Sequence, residues 1–209
     1  RKQQMSEYTT RAEKLSLPLI ALSENVAFPG EIVNLEIKDT RFDSCNAARE
    51  AFEGSKYAVA VPYKYIEDEH SELFEVGTVI KVKQMINSGD NSIRCIAEGV
   101  SRATVADYRR TGRYFTANVI CKTVTLPDGP SVKNQAYLRR LTESAQAMAK
   151  LLPPPAESIL PNLKNIKNPA LLADVIASGL FIKHEDKLEI LALFEPYRRI
   201  EAVLEIAEE

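Results

Sequence analysis

Apolar positions in the first part of the chain fall in short runs divided by turn residues. Leu17 to Leu22 and Ile32 to Ile37 flank Phe28-Pro29-Gly30, where proline fixes one φ and glycine permits the next to be positive. That spacing predicts strand, tight turn, strand. Phe42, Cys45, Ala48 and Phe52 recur at helical spacing, so a helix is predicted from Thr40 to about Phe52, capped by Asp39 and stopped by Gly54. Tyr57 to Tyr63 reads as a buried strand and is followed by the charged loop Glu67-Asp68-Glu69-His70. Thr78 to Ile86 and Ser92 to Val100 flank Asn87-Ser88-Gly89-Asp90-Asn91, a connection of hairpin length, and the second strand keeps Ile93, Cys95 and Ala97 on one face. Arg102 to Tyr108 and Tyr114 to Val124 add two strands around Arg109-Arg110-Thr111-Gly112. Six or seven short strands with one helix predict a closed or half-closed barrel.

After Leu126-Pro127-Asp128-Gly129-Pro130 the apolar period changes from two to 3.6. Val132 to Leu152 predicts a long helix closed by prolines 153 to 155, because a residue before proline is driven out of helix. A shorter helix is expected over Ala156 to Lys164. Asn168 then caps a helix with Pro169 at its first position, burying Leu172, Val175, Ile176 and Leu180. His184 to Phe194 and Tyr197 to the end are two more helices, divided by Pro196. The fold class expected is α+β, with a β-rich lobe over residues 1–125 and a helical bundle over 126–209. The last helix meets no glycine, asparagine or proline, which leads us to expect that it continues in a longer protein. Met5 is a candidate native start, with Arg1 to Gln4 an added remnant.

Composition narrows the function classes. The 209 residues are 45% hydrophobic and 27% charged, in the range of folded globular chains. The 27 basic and 29 acidic side chains nearly cancel, and neither half is basic, which removes the electrostatic term that nucleic-acid binders use. Cys45, Cys95 and Cys121 are an odd, widely spaced set, read as buried free thiols rather than as a disulfide framework or zinc site. His70 and His184 lack a second ligand at metal spacing. Apolar runs are too short to cross a bilayer, and the N-terminus is too polar for a secretory signal, so a cytoplasmic location and no membrane partner are expected. No Gly-x-x-x-x-Gly-Lys-Ser/Thr, Gly-x-Ser-x-Gly or His-Glu-x-x-His occurs, so catalytic, metal and cofactor residues are assigned to none.

Three stretches together resemble the N-terminal, substrate-binding domain of the bacterial ATP-dependent Lon proteases. They are Leu17-Pro18-Leu19-Ile20-Ala21-Leu22 through Val26-Ala27-Phe28-Pro29-Gly30; Glu75-Val76-Gly77-Thr78-Val79-Ile80 with Glu98-Gly99-Val100-Ser101-Arg102-Ala103; and Asn168 to Ser178 with Lys187-Leu188-Glu189-Ile190-Leu191 and Arg198-Arg199-Ile200. The resemblance covers residues 17 to about 206. It implies a PUA-like pseudobarrel with one helix, then a helical subdomain leading toward an ATPase module. It implies a parent enzyme, a serine endopeptidase of the Lon (endopeptidase La) type with ATPase activity in protein quality control, whose ATP and Mg lie outside this chain. Asp128-Gly129-Pro130-Ser131 is similar to the tetrapeptide around the family's nucleophilic serine. The family continues Ala-Gly where this chain has Val132-Lys133, and Ser131 is read as the N-cap of the following helix.

The expected task is therefore binding of misfolded or degron-bearing proteins, with support for hexamer assembly and a possible dimer of the fragment. Candidate contacts are Phe28 and Pro29 in the first turn, Met85 and Ile86 at a hairpin end, and Arg41 near the start of the barrel helix. Each has a plainer reading: Phe28 as a plug of the barrel end, Arg41 as a solvated helix face. Arg109, Arg110 and Arg113 read as a solvated hairpin end. The alternative function is a PUA-like RNA-binding module, which a steep salt dependence of RNA affinity would reveal.

Overall fold

The computed structural model describes residues 9–66, 68, 70–89, 91–126 and 131–209. Glu67, Glu69, Met5, Arg1 to Gln4 and the Asp128-Gly129-Pro130 segment lie outside them. The β-rich lobe holds β1 (Thr9–Leu22), β2 (Ile32–Ile37), α1 (Ser44–Glu53), β3 (Tyr57–Pro62), β4 (Val76–Gly89), β5 (Ser92–Thr111) and β6 (Tyr114–Thr125). The helical part holds α2 (Val132–Leu151), a 3₁₀ turn over Ala156–Ile159, α3 (Leu160–Leu163), α4 (Pro169–Leu180), α5 (His184–Leu191) and α6 (Pro196–Glu208). This is the α+β class expected.

The strand order is β2-β5-β4-β3-β1-β6, and β5 also pairs with β6, so β5, β4, β3, β1 and β6 close into a ring with β2 added outside it. Closure gives every ring strand a partner on both sides over at least part of its length, whereas β2 pairs along one side. It works because β5 is a single strand of 20 residues, not the two short strands its sequence predicts. Its first half pairs with β2 and its second half with β6, while β4 follows both. Register shifts at Val79/Ile80 and Val105/Asp107 supply the bending that closure needs. β1 also begins eight residues before the predicted Leu17. Residues 10–14 are polar or small and exposed, and they are held by an unbroken antiparallel ladder to β6 rather than by burial.

The period-two pattern divides the lobe into two apolar layers. Leu17, Leu19, Val59, Val79, Ala103, Ala117 and Val119 occupy one face of the ring, together with Phe42. Ile20, Leu22, Ala58, Ile80, Ala97 and Cys95 occupy the other face and meet Ala47, Ala48 and Ala51 of α1 and Leu35 and Ile37 of β2. All three cysteines are buried free thiols. α1 starts at Ser44, four residues later than predicted. The carboxylate of Asp39 instead accepts from the Phe42 backbone N–H (2.9 Å) and the Ser44 hydroxyl (2.7 Å), and also from the Tyr63 hydroxyl, so it ties a turn and two elements together before the helix begins.

The helical half packs around Leu141, Leu172, Ile176, Leu180, Ile190, Ile200 and Val203. Asn168 caps α4 by accepting from the Ala170 and Leu171 N–H groups, and Ser131 caps α2 by accepting from Asn134. Two of the features that join this half to the sheet are buried, while His184 Nε2, 2.7 Å from the Tyr63 carbonyl, adds a third. The first is Phe28, fully buried in the helical core beside Val76. Its turn approaches β5 so closely that a Cβ on Gly99 would lie 2.1 Å from the Phe28 carbonyl oxygen. The second is Arg102 of β5, which donates to both carboxylate oxygens of Asp174 on α4 (2.8 and 2.6 Å) and to the Leu191 and Ile190 carbonyls of α5 (2.9 and 3.2 Å). Arg199 of α6 approaches Asp174 at 3.2 Å, and all three side chains are buried.

Phe28→Ala is expected to lower unfolding free energy by about 3–5 kcal/mol, the usual cost of emptying a buried aromatic site. Gly99→Ala, which removes no contact, is expected to destabilise at least as much as a typical severe substitution of about 4 kcal/mol, because only backbone movement can relieve the clash. Urea denaturation measures both; a Gly99→Ala variant within about 0.5 kcal/mol of wild type would contradict the close approach.

Candidate binding surface

The structure does not bring the five candidate contact residues together. Phe28 presents no tip to solvent, nor does it plug the ring; its ring is spent on holding the helical half in place. Pro29 is half-buried and lines a cleft of about 210 Å³ between the sheet and α4, beside Asn168 and Leu171. Arg41 is exposed, yet its Nη1 donates to the Ser71 carbonyl at 2.6 Å and its guanidinium sits 5.0 Å from the Phe42 ring centroid. That geometry ties the loop after β3 to the start of α1.

Met85 and Ile86 separate for a different reason. The ladder continues through Met85↔Cys95, Ile86↔Arg94 and Asn87↔Ile93 to Gly89↔Ser92, so both residues lie inside a strand and not at a hairpin tip. Successive strand residues point to opposite faces. Met85 shares the side of fully buried Cys95 and packs on the core under α1, whereas Ile86 is 58% exposed beside Arg94. Across the outer face the register aligns Ile86, Arg94 and Glu36 in one row, with Ile32 of the edge strand, 67% exposed, two rows away. Lys83–Glu98 and Lys38–Glu36 ion pairs, both 3.4 Å, balance the charge of this face. Of the basic cluster, Arg110 pairs with Asp43 at 2.9 Å and lies 4.7 Å from the Phe115 ring centroid.

A site that the sequence reading missed lies where β1 and β6 run past the rest of the ring. It is a groove of about 560 Å³. Leu15, Leu17, Val79 and Cys121 supply apolar wall, Tyr57 and Ser101 flank it, and Arg11 and Glu13 stand along it. Arg11, Glu13, Leu15 and Leu17 share one parity on β1, so the groove continues the apolar layer of the ring outward into charge. Burial pushes the Cys121 thiol upward, with a smaller opposing effect of its hydrogen bond with Ser101, so it is a neutral thiol and acts as wall. The sequence signal for this groove is slight, because only Leu15 and Leu17 alternate and the Arg11 to Lys14 stretch before them carries no apolar pattern. A concave apolar surface with a few polar groups and both signs of charge can hold an extended, mixed-sequence polypeptide segment without demanding one side chain. No helix among the described residues is long and apolar enough to cross a membrane.

A closed β-ring carrying one helix, fixed to a helical bundle and bearing an open apolar groove, defines a binding domain of the α+β class. Residues 16–209 match the model of the ATP-dependent protease La (LON) substrate-binding domain, and the chain belongs to that family. It is 30% identical over 201 residues to the Lon protease of Brevibacillus choshinensis and 29% identical over 194 residues to that of Endomicrobium trichonymphae. Those alignments take in 94% and 91% of this chain but 25% and 24% of the relatives, so the chain spans about a quarter of their length. In fold it is similar to the N-terminal domain of Mycobacterium avium complex Lon protease, with a TM-score of 0.71 at 17% identity, covering 93% of this chain and 99% of that one.

The opposed faces of β4 make a direct test. Met85→Ser is expected to cost about 1–2 kcal/mol by exposing the core under α1, while Ile86→Ser stays within about 0.5 kcal/mol of wild type. Thermal unfolding of the two variants decides it; equal losses would mean that the two side chains share one environment.

Proposed function

We propose that this chain is the client-gripping, non-catalytic part of a Lon-type ATP-dependent serine protease, holding misfolded or degron-bearing polypeptides for a downstream ATPase and peptidase. ATP and Mg are then bound by the parent's other modules. The observation that supports the reading best is the groove along the start of β1, walled also by β4, β5 and β6 residues, whose apolar wall meets Arg11 and Glu13. Such a surface binds exposed apolar segments with modest strength and little sequence preference. Hexamer assembly of the parent would present six such surfaces, and multivalency of that kind raises avidity by up to about 10²- to 10⁴-fold over one contact. Of the candidate residues, Ile86 keeps its place as a possible client contact, because it is apolar and exposed.

Photo-crosslinking to unfolded casein tests this, with the reactive group placed at Leu15, at Ile86 and, as a control, at Glu185 on α5. Casein adducts are expected at Leu15 above the control, and Leu15→Asp is expected to weaken casein binding several-fold without changing the melting temperature by more than a few degrees. Labelling confined to the helical half would overturn the assignment.

A further inference from the structure

The buried ion cluster has a fourth member. Glu31 follows the turn that carries Phe28, and its carboxyl lies against α4, where Ser178 hydrogen-bonds to it and Asp174 adds a second negative charge. Its Oε2 is buried and has no hydrogen-bond partner. The backbone leaves it little room to withdraw. Gly30 N–H donates to the Gly99 carbonyl (2.9 Å), Gly99 N–H donates to the Glu31 carbonyl (2.8 Å), and a Cβ on Gly30 would meet Leu171 Cδ1 at 2.5 Å. The turn is thus clamped between β5 and α4.

The charged groups on the elements around Glu31 are Arg102 from β5, Asp174 from α4, Arg199 and its cap Glu195 from α6, and Lys122 from β6. Arg102 directs its hydrogen bonds to Asp174 and to the carbonyls of residues 190 and 191, and Arg199 Nη1 directs its own to the carbonyls of residues 193 and 194. Arg199 Nε stands 3.2 Å from Asp174 as an ion pair and makes no hydrogen bond to Glu31. An ionised Glu31 therefore sits near a second carboxylate with one oxygen buried and without a hydrogen-bond partner from the protein.

We propose that Glu31 is a proton-operated latch: protonated, it lets the helical half dock tightly on the sheet, and ionised, it loosens that docking. The direction follows from linkage. Burial, reinforced by Asp174 and offset in part by Ser178, lifts the carboxyl from the ordinary 4.5 to about 7 in the docked state. A carboxyl that binds its proton more tightly when docked weakens docking as pH rises from the free value through the docked one. The loss is therefore spread over the interval from roughly pH 5 to pH 7.5 and is complete above it.

The test is amide hydrogen exchange of α4 in the 209-residue chain at pH 6 and pH 8, corrected for the intrinsic exchange rate. Protection of α4 is expected to fall about tenfold between the two, and β3 is expected to change much less. Glu31→Gln keeps the shape and removes the titration, so its protection is expected to be independent of pH and higher than wild type at pH 8. Glu31→Met is a second variant that removes the charge and the hydrogen bond together, and it is expected to be equally flat. Either an unchanged α4 protection in wild type, or the same pH slope in Glu31→Gln as in wild type, would overturn the latch.

Discussion

A guanidinium cannot be taken out of water without a partner, and in this chain that constraint fixes how sheet and helices meet. Arg102 leaves β5 and enters the helical half, where Asp174 takes two of its N–H groups and carbonyls at the end of α5 take two more. Arg199 shares the same carboxylate. Buried ion pairs of this sort give up much of their attraction to desolvation, so their main effect is on geometry. Any other seating of α4 would leave two buried positive charges without a counter-ion. Phe28 supplies the nonpolar side of the same joint, and it can do so only because Gly99 lets its backbone lie against β5.

With the joint fixed, the surface left for partners is set by ring closure. Two places on the β-rich lobe offer side-chain contacts: the groove along the start of β1, and the outer face that carries Ile86 and the edge strand. Side-chain surfaces of mixed apolar and charged character tolerate variation in what they hold, whereas a deep pocket selects.

Much of the fold was legible in the sequence because local chemistry and tertiary structure agree there. Pro169 after Asn168, the triple proline after α2, and the alternation of Ile93, Cys95 and Ala97 each specify an element with little help from elsewhere. The misses share one cause. The start of β1 and the middle of β5 are held by partners distant in sequence, and neither carries an apolar pattern or turn residue to announce it. The site was read least well for a related reason. Phe28 was recognisable as a turn aromatic, but the core it enters is built more than 100 residues later, and Met85 and Ile86 could be told apart only once the length of β4 was known. The stretches that carry the family resemblance include segments of the joint, Phe28-Pro29-Gly30, Gly99 to Arg102 and the α4 sequence around Asp174.

Arg102 and Asp174 work as one unit across the joint. A double-mutant cycle with Arg102→Met and Asp174→Leu, read by urea denaturation, tests it most directly. Each single variant is expected to lose several kcal/mol, while the double variant recovers enough to give a coupling energy of about 2–3 kcal/mol. Additive losses, with a coupling below about 0.5 kcal/mol, would contradict it.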